Sequence, residues 1–321
     1  MTEQWRDEYD VVVVGGGAAG LSGALMLARA RRSVVVIDAG APRNAPADGV
    51  HGLLARDGMP PAELLARGRA EVRGYGGQVM SGTVEDVRRD GDRFTVILAG
   101  GRAVRARRLL VATGLVDELP ELPGLRERWG RDVVHCPYCH GWEVRDRAVG
   151  VLGSGPMSVH QALLFRQWSA DVTYFAHLVP PTEEQAEQLA ARGIPVVSGE
   201  VAAVEVGGDR LAGVRLADGT LVAREVVAVA TRMVARLGFL DGLGLRPVPH
   251  PAGVGEHLPA DPSGRTDVPG VWVAGNAADL VAQVGSAAAA GAAAAAQINA
   301  DLVTEETAQA VAAHRLAALP A

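Results

Sequence analysis

The chain holds two cysteines, and they stand three positions apart in His135-Cys136-Pro137-Tyr138-Cys139-His140. A Cys-x-x-Cys pair at a turn or helix start can open and close a disulfide, and the helix end favours the thiolate. Zinc is the competing reading. A structural zinc site takes four ligands, usually from two such knuckles, and this sequence supplies one. His135 and His140 could be drafted as extra ligands, but neighbouring residues seldom both point at one metal. A purely structural disulfide across so short a loop would stabilise little, because closure entropy grows with loop length. The predicted chemistry is therefore dithiol–disulfide exchange, with no metal. Each turnover of a dithiol releases two protons, and His140, with an ordinary pKa of about 6.5, is the expected acceptor. His135 either tunes the thiolate from the other side or is an ordinary polar residue at a strand end.

Exchange chemistry of this kind needs an electron partner, and two glycine turns bear on what that is. Gly15-Gly16-Gly17-Ala18-Ala19-Gly20 follows the valine run Val11–Val14 and opens an apolar helical pattern. Glycines at its first, third and sixth positions allow a tight turn, close approach of backbone N–H groups to a pyrophosphate, and helix-on-strand packing. Asp38, at the end of the next strand, is placed to accept the ribose hydroxyls of an adenine dinucleotide. The second turn, Gly153-Ser154-Gly155-Pro156-Met157-Ser158, is a degraded copy. Serine replaces its last small residue, and Pro156 removes a backbone donor. The strand that follows runs into Phe175-Ala176-His177-Leu178-Val179-Pro180-Pro181, where a nicotinamide site would place arginines for a 2′-phosphate or an acid for a ribose.

The elements that must position these groups repeat one grammar of apolar strand, glycine turn and helix. Val11–Val14 with Leu21–Ala30 and Val34–Ile37 is the first instance, and Ala148–Leu152 with Val159–Trp168 and Val172–Phe175 the second. Val271–Ala274 with Ser286–Asn299 closes the chain. Alternation of this kind predicts parallel sheets in an α/β protein. Two meanders intervene, Val84–Val87 with Phe94–Leu98, and Val201–Val206 with Gly213–Leu216 and Leu221–Val229. The repetition predicts two copies of one plan, the second inserted into the first. The crossings fall near Val116–Leu119 and Asp241–Arg246, which divides the chain into 1–117, 118–244 and 245–321.

Length and composition agree with that plan. The chain has 321 residues, 48% apolar and 21% charged, enough for two ordinary cores. A formal net charge of −6 gives no reason to expect nucleic acid or an anionic membrane as partner. The 31 basic residues are all arginine, which reads as codon bias in a chain with 40 glycines. Met1–Asp10 is polar, with none of the pattern of a signal peptide, and Ala287–Ala296 is too short to span a bilayer. A cytoplasmic protein is expected. Trp142, Trp168 and Trp272 sit in or beside apolar runs and are expected in the core.

The order of motifs resembles the low-molecular-weight thioredoxin reductase family along essentially the whole chain. The residues that carry it are Gly15–Gly20, Ala112-Thr113-Gly114, Cys136–Cys139 just before the second glycine turn, and Gly270-Val271-Trp272-Val273-Ala274-Gly275. The resemblance implies two Rossmann-like three-layer domains, an FAD domain with an inserted NAD(P)-binding-like domain that carries the cysteines, and a homodimer. It places FAD against Gly15, Gly17, Ala18, Ala19, Gly20, Asp38, Ala39, Arg43, Asn44 and His51. Val84, Ala112, Thr113, Gly114, Gly275, Asn276, Gln283 and Val284 complete that set. Three departures stand out: His140 replaces the aspartate after the second cysteine, the arginine cluster for NADPH is missing, and Asn276 with Ala282-Gln283-Val284 alters the last FAD motif. These changes resemble the flavin-dependent dithiol oxidases that close the disulfides of gliotoxin and holomycin. That branch implies a small-molecule dithiol as substrate, O2 as acceptor and H2O2 as product. Cys136 would then be the sulfur attacked and Cys139 the one nearer the flavin, by their order in the family. An NADPH-driven disulfide reductase is the alternative enzyme, and a flavin-bound redox sensor the non-enzymatic one.

Overall fold

The structure is a computed structural model that describes residues 5–318; the polar start Met1–Gln4 lies outside the described residues. In the first unit the strand Glu8–Val14 is buried on both faces from Val11 to Val14, as central parallel strands are. It runs parallel to Val34–Asp38, with Val11 opposite Val34, and to Ala103–Val111, with Val11 opposite Arg108. The sheet continues through Gln78–Ser81 on one side and through Arg93–Leu98 and Val84–Asp90 on the other. Val271–Val273 returns from the far end of the sequence to pair with the last residues of Ala103–Val111. The helix Ala18–Arg29 lies against the C-terminal helix Val284–Ala317 so closely that a Cβ on Gly291 would sit 1.9 Å from the Ala19 carbonyl oxygen. That helix runs well past Asn299, the end suggested by the alanine pattern. Arg108 holds Asp301 (2.6 Å) and Glu305 (2.6 Å), and Arg107 and Arg32 hold Glu306 (2.7 and 2.5 Å), pinning the extra turns to the strand Ala103–Val111 and to the turn before Val34–Asp38.

The second unit has a parallel sheet in the order Val196–Val197, Val172–Phe175, Val149–Leu152, Val226–Val229, Val133–Val134. A three-stranded antiparallel ladder, Val201–Gly207, Arg210–Leu216 and Leu221–Ala223, covers it. The run Leu221–Val229, which reads as one strand in the sequence, is two. Ala223 still faces Gly213, whereas Val226 has moved to Val149 in the parallel sheet. Arg224 marks the break, reaching Asp171 at 2.5 Å. All four residues of Val226–Val229 are buried, so this segment behaves as a core strand.

Two short strands connect the units. Leu115–Glu118 pairs antiparallel with Arg232–Ala235, Leu115 opposite Ala235. Beyond it, Leu237, Leu240 and Leu245 join Tyr9, Val12, Val87 and Phe94 in one core cluster. The return crossing thus runs through Arg232–Ala235, ahead of residue 244 where the sequence division put it. Nothing in the local pattern separates a leucine bound for one core from a leucine bound for the other. No described helix is long and apolar enough to cross a membrane.

Candidate functional site

Val133–Val134, at the edge of the second sheet, delivers the chain to the cysteine turn. Cys136 is extended (φ −92°, ψ 118°) and begins the short helix Pro137–His140, with Pro137 at its first position, where a missing N–H costs nothing. The Cys136 carbonyl accepts from the N–H of Cys139 (3.2 Å) and of His140 (3.1 Å), and this fold-back closes the Cys136–Cys139 disulfide with Cα atoms 5.2 Å apart. His135 places Nδ1 3.0 Å from the Val229 carbonyl, which can only accept. Nδ1 therefore carries the proton and Nε2 the lone pair. Burial lowers the pKa of His135, and the Arg43 charge lowers it further against the pull of Asp117. Burial also lowers that of His140, against the opposing charge of Glu143, and its Nδ1 is buried without a partner. Both rings are neutral bases at neutral pH, as a proton acceptor must be.

The disulfide opens onto a cavity of about 940 Å³ between the two units. Cys136, Cys139, His135 and His140 line it at one end, and Gly15–Ala19, Asp38–Ala39, Arg43, Asn44, His51, Val84, Ala112, Thr113, Gly275, Asn276, Gln283 and Val284 line the rest. The volume lies at the upper end of the range for ligand pockets, roughly 300–1,000 Å³. The glycine turn is shaped for an elongated dinucleotide. Gly15 has φ +104°, and a Cβ there would lie 2.3 Å from the Ala112 carbonyl oxygen, whereas a Cβ on Gly17 would meet nothing within 4 Å. The open side at Gly17 is where a phosphate would approach the first turn of Ala18–Arg29, a helix that has no side-chain cap. The residues present fit a bound dinucleotide.

Two of the expected contacts do not line the cavity. Gly20 serves helix-on-strand packing, because a Cβ there would sit 1.9 Å from the Gly15 oxygen. Gly114 (φ +69°) turns the chain into the connecting strand, its carbonyl accepting from the Arg236 N–H at 3.3 Å. Asp38 accepts from Gly16 N–H (3.2 Å) and pairs with Arg69 (3.0 Å), which orients its carboxylate. Asn276 donates from Nδ2 to the carbonyls of Asp279, Leu280 and Ala282, so its amide staples a loop of the cavity wall. Arg43 grips Asp117 through two bonds, Nε to Oδ2 at 2.6 Å and Nη2 to Oδ1 at 2.7 Å, and Thr231 adds its hydroxyl at 2.8 Å. Burial pushes the Asp117 carboxyl up, but these bonds more than offset it and hold the pKa below the usual range. Sequence reading missed Asp117, Thr231 and Gln161, whose amide donates to the His135 carbonyl at 2.5 Å. Trp272 is fully buried as expected, but Trp142 is 64% exposed with Arg145 stacked over it at 4.3 Å.

The second glycine turn is closed by the protein itself. The fully buried Ser158 hydroxyl accepts from the N–H groups of Ser154 and Gly155, each at 3.1 Å. These are the donors that would otherwise cradle a phosphate. The loop after Val172–Phe175 folds back onto the turn, Leu178 N–H donating to the Gly153 carbonyl at 3.2 Å. The Tyr174 hydroxyl ties down Val179 at 2.7 Å.

Residues 9–296 match the pattern of the pyridine nucleotide-disulphide oxidoreductases. The thioredoxin reductase tcpT of Claviceps purpurea is 32% identical over 293 residues, covering 87% of this chain and 89% of its own. The crystal structure of HlmI is 51% identical and superposes with a TM-score of 0.92, over 98% of this chain and 99% of that one. An oxidoreductase from Agrobacterium tumefaciens is 35% identical, with a TM-score of 0.86 over 92% and 99% of the two chains.

Proposed function

The chain belongs to the pyridine nucleotide-disulphide oxidoreductase family as a thioredoxin reductase-like, flavin-dependent thiol–disulfide oxidoreductase, and on that premise we propose that it binds FAD and oxidises a small-molecule dithiol to its intramolecular disulfide, with O2 as acceptor. The observation that carries the reading is the contrast between the two glycine turns. One opens onto the cavity that holds the disulfide, and the other has its phosphate donors taken by Ser158.

A substrate thiolate attacks the Cys136 sulfur and displaces Cys139 as a thiolate. The second substrate thiol then attacks the mixed disulfide, releasing Cys136 and a cyclised product. The substrate has lost two electrons and two protons, and the cysteine pair holds the electrons. The residues of the Gly15–Gly20 turn would hold FAD, which would supply a two-electron acceptor for the reduced pair and a route for those electrons to O2, giving H2O2. His140, neutral because it is buried at the cavity wall, takes a substrate proton, and His135 with its lone pair on Nε2 is placed to take the other. The N-terminus of Val284–Ala317 has no side-chain cap and brings Gln283 and Val284 to the cavity, where its N–H groups would favour negative charge on a bound flavin. The same reading puts the protein in the cytoplasm as a homodimer, in secondary-metabolite biosynthesis or self-protection.

The test is to bleach the flavin with excess dithiothreitol under nitrogen and then admit air. Return of the yellow band with one peroxide per dithiol oxidised is expected. A flavin that stays reduced in air overturns O2 as the acceptor.

A further inference from the structure

Tyr138 stands between the two cysteines, lines the cavity and is 61% exposed. Its position is fixed. Its edge meets Trp168 with centroids 5.9 Å apart at 90°, and Gly141 makes room for that indole, since a Cβ there would lie 2.6 Å from it. Met157, itself 39% exposed, and Leu164 line the same cavity as Tyr138, with His160 between them in sequence. Neither Met157 nor Leu164 carries a charged group. His51, on a loop of the first unit, lies 3.4 Å from Glu143 in the turn after the cysteine helix and 3.5 Å from Asp57. An aromatic ring held against Trp168, next in sequence to both cysteines and sharing its cavity with two flexible apolar side chains, offers a seat for a flat uncharged body.

We infer that Tyr138, with Met157 and Leu164, forms the specificity shelf of the site and seats a ring-bearing, uncharged dithiol so that one of its sulfurs faces Cys136. The inference rests on the reading of the protein as acting on a small dithiol, but not on the identity of the final electron acceptor. Ring stacking and apolar contact at such a shelf correspond to roughly tenfold or more in half-saturating concentration.

Two dithiols that close disulfide rings of the same size separate the effects. Ortho-xylylene dithiol carries a flat ring, and dithiothreitol carries hydroxyls. The reductive half-reaction is followed under nitrogen as loss of the flavin band in rapid mixing, at varied dithiol concentration. The unmodified enzyme is expected to half-saturate at roughly tenfold lower xylylene dithiol than dithiothreitol. Tyr138→Ala should collapse that ratio while the limiting rates of the two dithiols keep their order, and Tyr138→Phe should preserve it. Equal half-saturation in the unmodified enzyme, an unchanged ratio in Tyr138→Ala, or equal loss in both variants overturns the shelf. Oxygen uptake is measured separately. A preference that follows Tyr138 without oxygen turnover leaves the shelf standing and removes O2 as the acceptor.

Discussion

Reduced nicotinamide should fail to deliver electrons to this protein, and Ser158 should be part of the reason. A phosphate at a glycine turn draws on charge-assisted bonds from backbone N–H groups, each contributing about 1.5–3 kcal/mol. Here the two candidate donors, on Ser154 and Gly155, already end on the Ser158 hydroxyl at 3.1 Å. Forfeiting both corresponds to about 3–6 kcal/mol, or roughly two to four orders of magnitude in Kd. Pro156 and the absence of arginine after Phe175 add to the deficit in the same direction. A dinucleotide that would otherwise bind at about 10 µM is thereby moved to the millimolar range or beyond.

The assay is anaerobic rapid mixing with NADPH at about 0.1 mM, well under that Kd, with dithiothreitol as the positive control. The flavin band should persist with NADPH and disappear with the dithiol. Ser158→Ala frees both N–H groups, and NADPH binding should tighten by about tenfold or more, short of a full site because the arginines are still missing. Complete bleaching of the unmodified enzyme by NADPH within seconds would falsify the closed-turn argument and promote the reductase alternative. An unchanged Kd in Ser158→Ala would assign the block to the missing arginines alone.

Other substitutions separate the remaining roles. Cys136→Ser and Cys139→Ser should each keep the flavin and lose dithiol oxidation, and Cys139→Ser should trap substrate on Cys136 as a mass increase in the intact protein; normal turnover in both would remove exchange from the mechanism. Asp117→Ala leaves Arg43 without its partner and should cost about 2–4 kcal/mol, towards the lower end because the Arg43 side chain is 28% exposed to water, read as earlier flavin release on heating. Because the Asp117 pKa is lowered on folding, its contribution is complete above the unfolded value of about 4 and is lost as pH falls through the folded one. An Asp117→Ala deficit that grows on acidification would contradict this. His140→Gln should slow dithiol oxidation by about a hundredfold. In the unmodified enzyme the acidic limb of the rate profile should lie below about 6.5, since burial lowers the pKa of His140; a limb at or above neutrality would count against His140 as the acceptor.

The first glycine turn and the cysteine pair were legible because each is local. The spacing of Gly15, Gly17 and Gly20 is dictated by contacts within one strand–turn–helix unit, and the structure shows each glycine meeting a different constraint. Asp38 was legible as a strand-end acid, but Arg69, which orients it, sits 31 residues away on a helix that carries no motif. Arg43 and Asp117 are 74 residues apart and meet only because a loop of the first unit folds over the connecting strand. Their types are those of any surface ion pair. The boundary at Arg232–Ala235 was hidden for a related reason: Leu237, Leu240 and Leu245 are apolar in either core, and only tertiary packing assigns them to the first.

Ser158 shows where the sequence and the structure meet. In the sequence it is a departure from the small residue expected at the sixth position of the turn, and that alone leaves open whether the site is merely weakened. In the structure its hydroxyl takes the N–H bonds of both Ser154 and Gly155 while buried from solvent. A buried donor without a partner costs more than a neutral hydrogen bond returns. Once phosphate no longer visits such a turn, a hydroxyl that satisfies its two N–H groups stabilises the unit by itself. On the oxidase reading proposed above, electrons would enter through the thiols at the remaining cavity, and the closed second turn is what favours that direction over reduction by a nicotinamide.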